Sequence, residues 1–309
     1  MGIKGLSKAI RRMAPAAVRE TTLADYAGRT LAIDACIFMY KFRYLGRPVE
    51  LFTEQVRTLR DAGVTPLYVF DGAACEAKHA EVLRRRAAKQ KAVEAVDVAR
   101  AQATRTQARA LSTLGPDPLG AIVACEAELC KAERRVAAQP TSSDYSEVRR
   151  RLAALGCEVR QARGDGEKAC AAAVRAGEAF ACVSEDFDAL VYGATRMLTK
   201  MGQPTMVEYD LPTVLRDSGL AMPQFVDLCI LLGSDLCPKV RARARAHACP
   251  GAPDPTPAQV KGIGEVRALA LLRAHGSIEN VLAQGLPPRC EAPPDFEADV
   301  ARARLEFMG

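Results

Sequence analysis

The sequence predicts an α/β fold in which a central, mostly parallel, twisted sheet is flanked by helices. Short apolar runs of the kind that form buried strands are followed by carboxylates at three places. Residues 31–33 end on Asp34, residues 66–70 end on Asp71, and residues 180–183 lead to Asp186 and Asp188. Segments with helical spacing lie between these runs, and strands that alternate with helices are typical of a parallel sheet.

The acidic residues at these strand ends are predicted to meet in one crevice. Ligands of open parallel sheets bind beyond the carboxyl ends of the strands, where Asp34 and Asp71 would both project. Asp186 and Asp188 are two residues apart, so an extended backbone would place both on one face. Packed carboxylates repel one another and resist burial unless cations neutralise them. A solvated acidic turn would explain one such pair, but the recurrence at three strand ends favours a cation site.

The remaining elements are predicted from the spacing of apolar residues and from the Gly and Pro residues that end helices. In chain order they are a short helix within residues 2–19 that Pro15 breaks, helices at 35–42, 49–59 and 143–155, a strand near 157–159, a helix to Ala176 that Gly177 stops, and helices at 223–232, 262–275 and within 293–308. Residues 238–261 are rich in Arg, Ala and Pro without apolar spacing, which indicates a flexible loop.

Residues 73 to about 138 are rich in alanine and charge and carry no strand signal, which predicts a separate lobe of long helices interrupted at residues 115–118. Lys78, Arg85 and Lys89 are separated by seven and four residues, so they fall on one face of the first helix. Because that helix starts just after Asp71, its basic face would begin at the crevice. A solvated basic face is the alternative.

Two helix starts carry residues that suit an ion or a phosphate. Asp165 and Glu167 form another carboxylate pair just before the strand at 180–183, although acids are also common as helix caps. Gly262 and Gly264 precede a helix whose backbone N–H groups can hold a phosphate, a signal that is weak by itself.

The composition indicates where the protein is found and what kind of ligand it binds. The 309 residues contain no apolar run near the ~20 residues of a membrane span, which predicts a soluble, intracellular protein without membrane attachment. The net charge of +6 is uneven, and a basic surface around an acidic crevice suits a polyanion. Eleven cysteines without a C-x-x-C pair indicate reduced thiols, of which Cys36, Cys170, Cys182 and Cys229 lie in apolar stretches and are predicted to be buried.

Taken together, these motifs resemble the flap endonucleases, the structure-specific 5′ nucleases of DNA replication and repair. The resemblance runs from residues 1–6 through 33–35 with Tyr40, 68–72 and 184–188 to 224–235 and 262–264, so it covers nearly the whole chain. It implies a single nuclease domain, 1–309, made of a nuclease part (1–72), a helical arch or cap (73–140), an internal nuclease part (141–222), a helix-two-turn-helix module (223–285, with the insert 238–261) and a C-terminal segment (286–309).

The resemblance also implies a set of site residues. Two Mg²⁺ ions, which Mn²⁺ can replace, would be held by Asp34, Asp71, Asp165 and Glu167 in one group and by Asp186, Asp188 and Asp235 in the other. Lys78 and Arg85 match catalytic cations that contact the scissile phosphate. The expected DNA contacts are Gly2, Tyr40 as a base-stacking ring, Lys89, Gly262 and Gly264, with K⁺ in the helix-two-turn-helix module. Such a site would cleave DNA phosphodiesters by two-metal-ion catalysis as a 5′ flap endonuclease and 5′–3′ exonuclease.

The chain departs from the family at several places. Asp165 stands where relatives carry Glu, the stretch between Asp34 and Asp71 is shorter, and the insert 238–261 splits the duplex-binding module. The tail that binds the sliding clamp in cellular relatives has no counterpart before Gly309, so recruitment by that route is not expected. The expected partner is DNA with 5′ flaps, nicks or branches, bound by a monomer in the nucleus or another site of DNA replication. The alternatives are a non-catalytic scaffold that binds branched DNA and an RNase with a related acidic sheet.

Overall fold

A computed structural model describes residue 3 and residues 5–72, 79–112, 118–137, 139–233, 262–288, 290–293 and 295–308. Within the helices at 79–112 and 118–137, the side chains of residues 79–86, 88, 89, 110–112, 118 and 135 lie outside this description. The insert predicted at 238–261 also lies outside it. Within the described residues, no helix combines the length and the apolar character that a membrane crossing requires.

The strands form one mixed sheet. In chain order they are β1 (Val18–Thr21), β2 (Thr30–Asp34), β3 (Thr65–Phe70), β4 (Glu158–Gln161), β5 (Ala181–Val183), β6 (Arg196–Thr199) and β7 (Met206–Asp210). They are arranged in the order β1-β7-β6-β5-β2-β3-β4. The four pairs from β6 to β4 are parallel, whereas β7 pairs antiparallel with both β1 and β6. The predicted mostly parallel sheet is therefore confirmed.

The α-helices of the described residues are, in chain order, α1 (Leu6–Met13), α2 (Ala35–Tyr44), α3 (Pro48–Asp61), α4 (His79–Ser112), α5 (Pro118–Ala137), α6 (Ser142–Ala154), α7 (Gly166–Arg175), α8 (Asp188–Val191), α9 (Leu211–Ser218), α10 (Met222–Leu232), α11 (Glu265–His275), α12 (Ile278–Ala283) and α13 (Phe296–Met308). The helix predicted within residues 2–19 is shorter than that range. It ends at Met13, Pro15 begins a 3-10 turn, and the following residues form β1.

The chain divides into two compact units. The sheet unit comprises Met1–Asp34, Thr58–Lys78 and Glu158–Gly309, and the helical unit comprises Ala35–Arg57 and His79–Cys157. In the helical unit, α4 and α5 are antiparallel neighbours joined by contacts such as Arg100 to Glu133 (Nη2 to Oε1, 2.9 Å). The rings of Phe42 and Phe52 pack edge to face, with centroids 5.0 Å apart, and supply part of its core.

The core of the sheet unit is built on β2, which lies between β3 and β5. Its residues Leu31, Ala32 and Ile33 are fully buried, as expected of a strand covered on both faces. In the parallel register, Ile33 lies opposite Tyr68 of β3 and Val183 of β5. The carboxyl ends of the three strands consequently coincide, and the residues that follow them are brought to one edge of the sheet.

The four cysteines that were predicted to be buried are buried in the structure, and Cys157 is buried as well. Cys36, Cys157, Cys170, Cys182 and Cys229 are free and buried, and no disulfide joins any of the cysteines that the structure describes. Burial of this kind is typical of reduced cysteines that act as small apolar side chains.

Candidate metal centre

Asp34 and Asp71 form the centre of the acidic edge. Asp34 is the last residue of β2 and is only 2% exposed, and Asp71 follows β3 and is exposed. Because β2 and β3 are adjacent parallel strands, their ends bring the two carboxylates to within 4.8 Å of each other. Two like charges held this close, one of them buried, favour a cation between or beside them.

The start of α7 closes over both carboxylates at Gly166. Its N–H donates a hydrogen bond to Asp71 Oδ1 at 2.8 Å. A Cβ at this position would lie 2.8 Å from the same oxygen and 3.7 Å from Asp34 Oδ1, so only glycine permits the approach without a shift. The positive end of a helix dipole thus points at the acidic pair.

The segment after β5 is joined to Asp34 by hydrogen bonds. The Ser184 hydroxyl donates to Asp34 Oδ2 at 3.2 Å, and the Asp186 N–H donates to Ser184 Oγ at 3.0 Å. The Asp188 N–H in turn donates to Asp186 Oδ1 at 3.2 Å. Asp188, which is 1% exposed, is the first residue of α8.

The expected extended conformation of residues 186–188 is wrong. Phe187 has helical backbone angles, φ −73° and ψ −5°, and the chain turns there into α8. Side-chain oxygens of Ser184 and Asp186 bond backbone N–H groups two residues on, which replaces the hydrogen bonds of a strand with those of a turn. The two aspartates still lie at the carboxyl end of β5, where the prediction placed them.

Asp165 and Glu167 flank Gly166, and both are partly buried. The buried phenol of Tyr192 donates a hydrogen bond to Asp165 Oδ2 at 2.9 Å. Burial raises the pKa of Tyr192 far above its ordinary value, and the negative charges of Asp165 and Asp188 raise it further. The phenol therefore stays protonated as a donor, and acids at the starts of α7 and α8 both act on it.

The pKa values of two buried thiols are also raised by the negative charges of the site. A hydrogen bond with Cys182 and burial raise the pKa of Cys170, and the charges of Asp34 and Glu167 add to the effect. Burial likewise raises the pKa of Cys229, with a further contribution from Asp188. Both thiols stay neutral, and the negative charge of the site is concentrated on carboxylates.

The donor set fits a hard divalent cation. Mg²⁺ and Mn²⁺ prefer oxygen ligands, and carboxylates with retained water are the usual protein ligands of Mg²⁺. The close approach of Asp34 and Asp71, with Gly166 leaving room beside them, is the observation that supports this fit. Asp165, Glu167, Asp186 and Asp188 are linked to the pair through Gly166, Ser184 and Tyr192.

The other predicted site residues lie in different parts of the molecule. Tyr40 is on α2 in the helical unit and is 45% exposed. Gly262, with φ +81°, and Gly264 precede α11, with Ile263 buried between them. Arg85 and Lys89 belong to α4, but their side chains lie outside the description, as do Gly2, Lys78 and Asp235 altogether.

Three residues of the site were missed by sequence reasoning, namely Gly166, Ser184 and Tyr192. Each has a signal in hindsight. Gly166 separates two acids at a helix start, Ser184 precedes Asp186 by two residues, and Tyr192 follows Asp188 by about one helical turn.

Comparison with known proteins gives consistent matches. The XPG N-terminal domain family matches residues 1–92, and the XPG I-region family matches residues 156–235. Flap endonuclease 1 of Entamoeba histolytica is 32% identical, over 98% of this chain and 74% of its own length.

Solved structures show the same fold. The catalytic core of Rad2 in complex with DNA substrate superposes with a TM-score of 0.61 at 18% identity, over 100% of this chain and 81% of that one. Flap endonuclease-1 from Methanococcus jannaschii superposes with a TM-score of 0.57 at 21% identity, over 93% of this chain and 81% of that one.

Proposed function

Because the chain belongs to the flap endonuclease family, we propose that it is a Mg²⁺-dependent nuclease that cuts DNA at 5′ flaps and recessed 5′ ends. The observation that carries the proposal is the convergence of acids at one sheet edge, with Asp34 and Asp71 within 4.8 Å of each other beside the N-terminus of α7. Structure-specific cleavage of DNA is the activity of the family.

The proposed ligands fall into two groups. Asp34, Asp71, Asp165 and Glu167 would serve one ion, and Asp186, Asp188 and Asp235 would serve a second, with Mn²⁺ as a substitute for Mg²⁺. When bound, two such ions supply a hydroxide nucleophile at neutral pH and stabilise charge on the leaving oxygen. Seven carboxylates exceed what Mg²⁺ takes directly, so several of them would act through bound water.

Asp34 and Asp71 differ in how firmly the surrounding structure holds them. Asp34 is fixed by the central strand β2 and by the Ser184 hydroxyl, whereas Asp71 is exposed and held by the Gly166 N–H. We therefore expect Asp34 to set the position of the site and Asp71 to adjust to its occupant.

Other residues would bind the DNA. Lys78 and Arg85 would balance the scissile phosphate, Tyr40 would stack on a base, and Lys89 and Gly2 would contact the strand. Gly262 and Gly264 would present backbone N–H groups to the duplex, with K⁺ in the module at 223–285. The arch or cap expected at 73–140 would admit a single-stranded 5′ end and exclude an intact duplex.

The proposed partner is DNA with 5′ flaps, nicks or branches, bound by a monomer at the site of DNA replication. A Rad2 core in complex with DNA substrate has the same fold, which supports a DNA partner. A scaffold that binds branched DNA without cutting it is the alternative. Its weakness is that carboxylates facing phosphate would only weaken DNA binding unless cations neutralise them.

Asp186→Ala tests the proposal on labelled 5′ flap and nicked duplexes, with and without Mg²⁺. Wild type should cleave only with Mg²⁺, and the variant should lose roughly 10³-fold in rate, because bound metal supplies several kcal/mol of transition-state stabilisation. Asp217→Ala is the matched control, because Asp217 is an exposed aspartate paired with Arg216.

The outcomes separate the alternatives. Wild type that binds the flap but never cleaves it would identify the scaffold. Full cleavage by Asp186→Ala would remove that residue from the metal site. Loss of cleavage with DNA affinity kept in Ca²⁺ would support the enzyme.

A further inference from the structure

Tyr192 connects the two acidic segments of the site. It follows α8, its N–H donates to the Asp188 carbonyl at 2.9 Å, and its phenol reaches Asp165 at the start of α7. Tyr192 is thus hydrogen-bonded to both proposed ligand groups, to Asp188 through its backbone and to Asp165 through its hydroxyl.

The ring of Tyr192 is held on several sides. It is 1% exposed and packs on Phe307 of α13, with ring centroids 5.3 Å apart. Lys168 Nζ lies 5.8 Å from the ring centroid, and Lys168 is itself tied to α13 by a hydrogen bond to the Glu306 carbonyl at 3.0 Å. The Arg175 guanidinium donates to the Tyr192 carbonyl. The hydroxyl is consequently presented to Asp165 by a rigid support.

Asp165 has an unusual role for its position. It is the residue that precedes α7, where Asp side chains commonly fold back to accept a hydrogen bond from the first turn. Here the side chain makes no such capping bond, and its Oδ2 accepts from Tyr192 instead. The phenol therefore bonds the carboxylate in an orientation in which it does not cap α7.

We propose that Tyr192 is a positioning residue that turns Asp165 away from its own helix and toward the metal. The proposal rests on the proposed function, since it concerns a ligand of that site. Without the hydroxyl, Asp165 would turn to the N–H groups of the first turn of α7, and the site would lose a ligand. A glutamate at 165 would reach the site without this help, because its side chain is one methylene longer.

The experiment compares Tyr192→Phe with Tyr26→Phe. Tyr26 is a matched control because it is also 1% exposed and its phenol also donates to a carboxylate, Glu208, at 2.5 Å. That contact lies between the 3-10 turn at Leu23–Tyr26 and β7. Mn²⁺ affinity is measured on the full chain without DNA by electron paramagnetic resonance of the free ion, and folding is followed by circular dichroism.

Tyr192→Phe should weaken Mn²⁺ binding roughly 10-fold or more, as loss of a partner that orients a metal ligand does. The Mg²⁺ concentration for half-maximal flap cleavage should rise by about the same factor, while the rate at saturating Mg²⁺ stays within about threefold of wild type. Asp165→Glu in the Tyr192→Phe background should restore Mn²⁺ affinity. Tyr26→Phe should lower the melting temperature and leave Mn²⁺ affinity unchanged.

Two results would overturn the proposal. One is Mn²⁺ affinity in Tyr192→Phe equal to that of wild type. The other is a loss that Asp165→Glu does not rescue, which would place the effect of the hydroxyl elsewhere. Failure of the proposed function is distinguishable, because in that case wild type itself would neither bind Mn²⁺ nor cleave the flap.

Discussion

Two carboxylate clusters of the sheet unit each contain a buried aspartate, but the side chains next to that aspartate carry opposite charges. In the acidic cluster, formed by Asp34, Asp71, Asp165, Glu167, Asp186 and Asp188, Asp34 is 2% exposed and lies within 4.8 Å of Asp71. In the arginine cluster, formed by Asp227, Glu279 and Arg304, Asp227 is also 2% exposed. Arg304 donates to both oxygens of Asp227 at 2.7 Å, a bidentate ion pair.

The pKa values of neighbouring groups differ between the two clusters in the way that these charges require. The hydrogen bond from Arg304 lowers the pKa of Glu279 to about 2. In the acidic cluster, burial and then the charges of Asp165 and Asp188 raise the pKa of Tyr192. This difference in neighbouring charge distinguishes carboxylates that stabilise the fold from carboxylates that could bind a metal ion. Asp227 is paired with the guanidinium of Arg304, whereas Asp34 and Asp71 are brought close to each other at one edge of the sheet, where a metal ion would reduce their mutual repulsion.

The strongest test of this comparison is the matched pair Asp34→Asn and Asp227→Asn. Asp34→Asn should lower flap cleavage roughly 10³-fold, because metal binding supplies several kcal/mol of transition-state stabilisation. Its free energy of unfolding without metal should change by less than about 1 kcal/mol, since the amide can still accept from Ser184. Asp227→Asn should instead lower the free energy of unfolding by about 3 kcal/mol, because it breaks a buried ion pair. Urea unfolding and single-turnover cleavage at low temperature measure the two quantities.

The reverse pattern would contradict the comparison. If Asp34→Asn unfolded the protein and Asp227→Asn abolished cleavage of folded enzyme, the acidic cluster would be structural. Equal effects of both variants on stability would remove the distinction between the clusters.

A smaller effect is expected from Gly166→Ala, which tests the close approach of α7. The added Cβ would lie 2.8 Å from Asp71 Oδ1, so the helix start and the carboxylate must separate. We expect Mn²⁺ affinity to fall about 10-fold, as when a ligand's supporting contact is lost. Calorimetric titration with Mn²⁺ measures this, and an unchanged affinity would show that Asp71 moves freely without harm to the site.

Much of the architecture around the site was predictable because it depends on local pattern. The apolar runs before Asp34 and Asp71 are long enough to identify strands buried on both faces, and parallel pairing then places their ends together. The helices that precede and follow these strands in the sequence were recognisable from the spacing of apolar residues and from the Gly and Pro residues at their ends. These signals lie within a few residues of each element.

The rest depends on contacts between distant residues. β1 has the sequence Val-Arg-Glu-Thr, which resembles a loop, and it becomes a strand only by pairing with β7. The turn at Phe187 results from side chains that bond backbone N–H groups, a choice that the alternation of residues does not reveal. The role of Tyr192 requires α7, α8 and Phe307 to be packed together, and Phe307 is far away in the sequence.

The smallest effect expected is the pH dependence that Glu279 confers on stability. Its pKa is about 2 in the folded chain, below the ordinary value of 4.5, so the unfolded chain binds more protons between these values. The stabilisation by the Arg304 contact is therefore complete above about pH 4.5 and is lost as the pH falls toward 2.

Because the Glu279 side chain is 54% exposed, we expect less than about 1 kcal/mol. Urea unfolding of wild type and Glu279→Gln should differ by a constant amount above pH 5 and converge near pH 2 to 3. Asp299→Asn is the control of opposite sign, because burial raises the pKa of Asp299 and its ionisation costs stability at neutral pH. A difference for Glu279→Gln that persisted at pH 2 would mean that Arg304 stabilises α12 through packing, and that the charge of Glu279 is unimportant there.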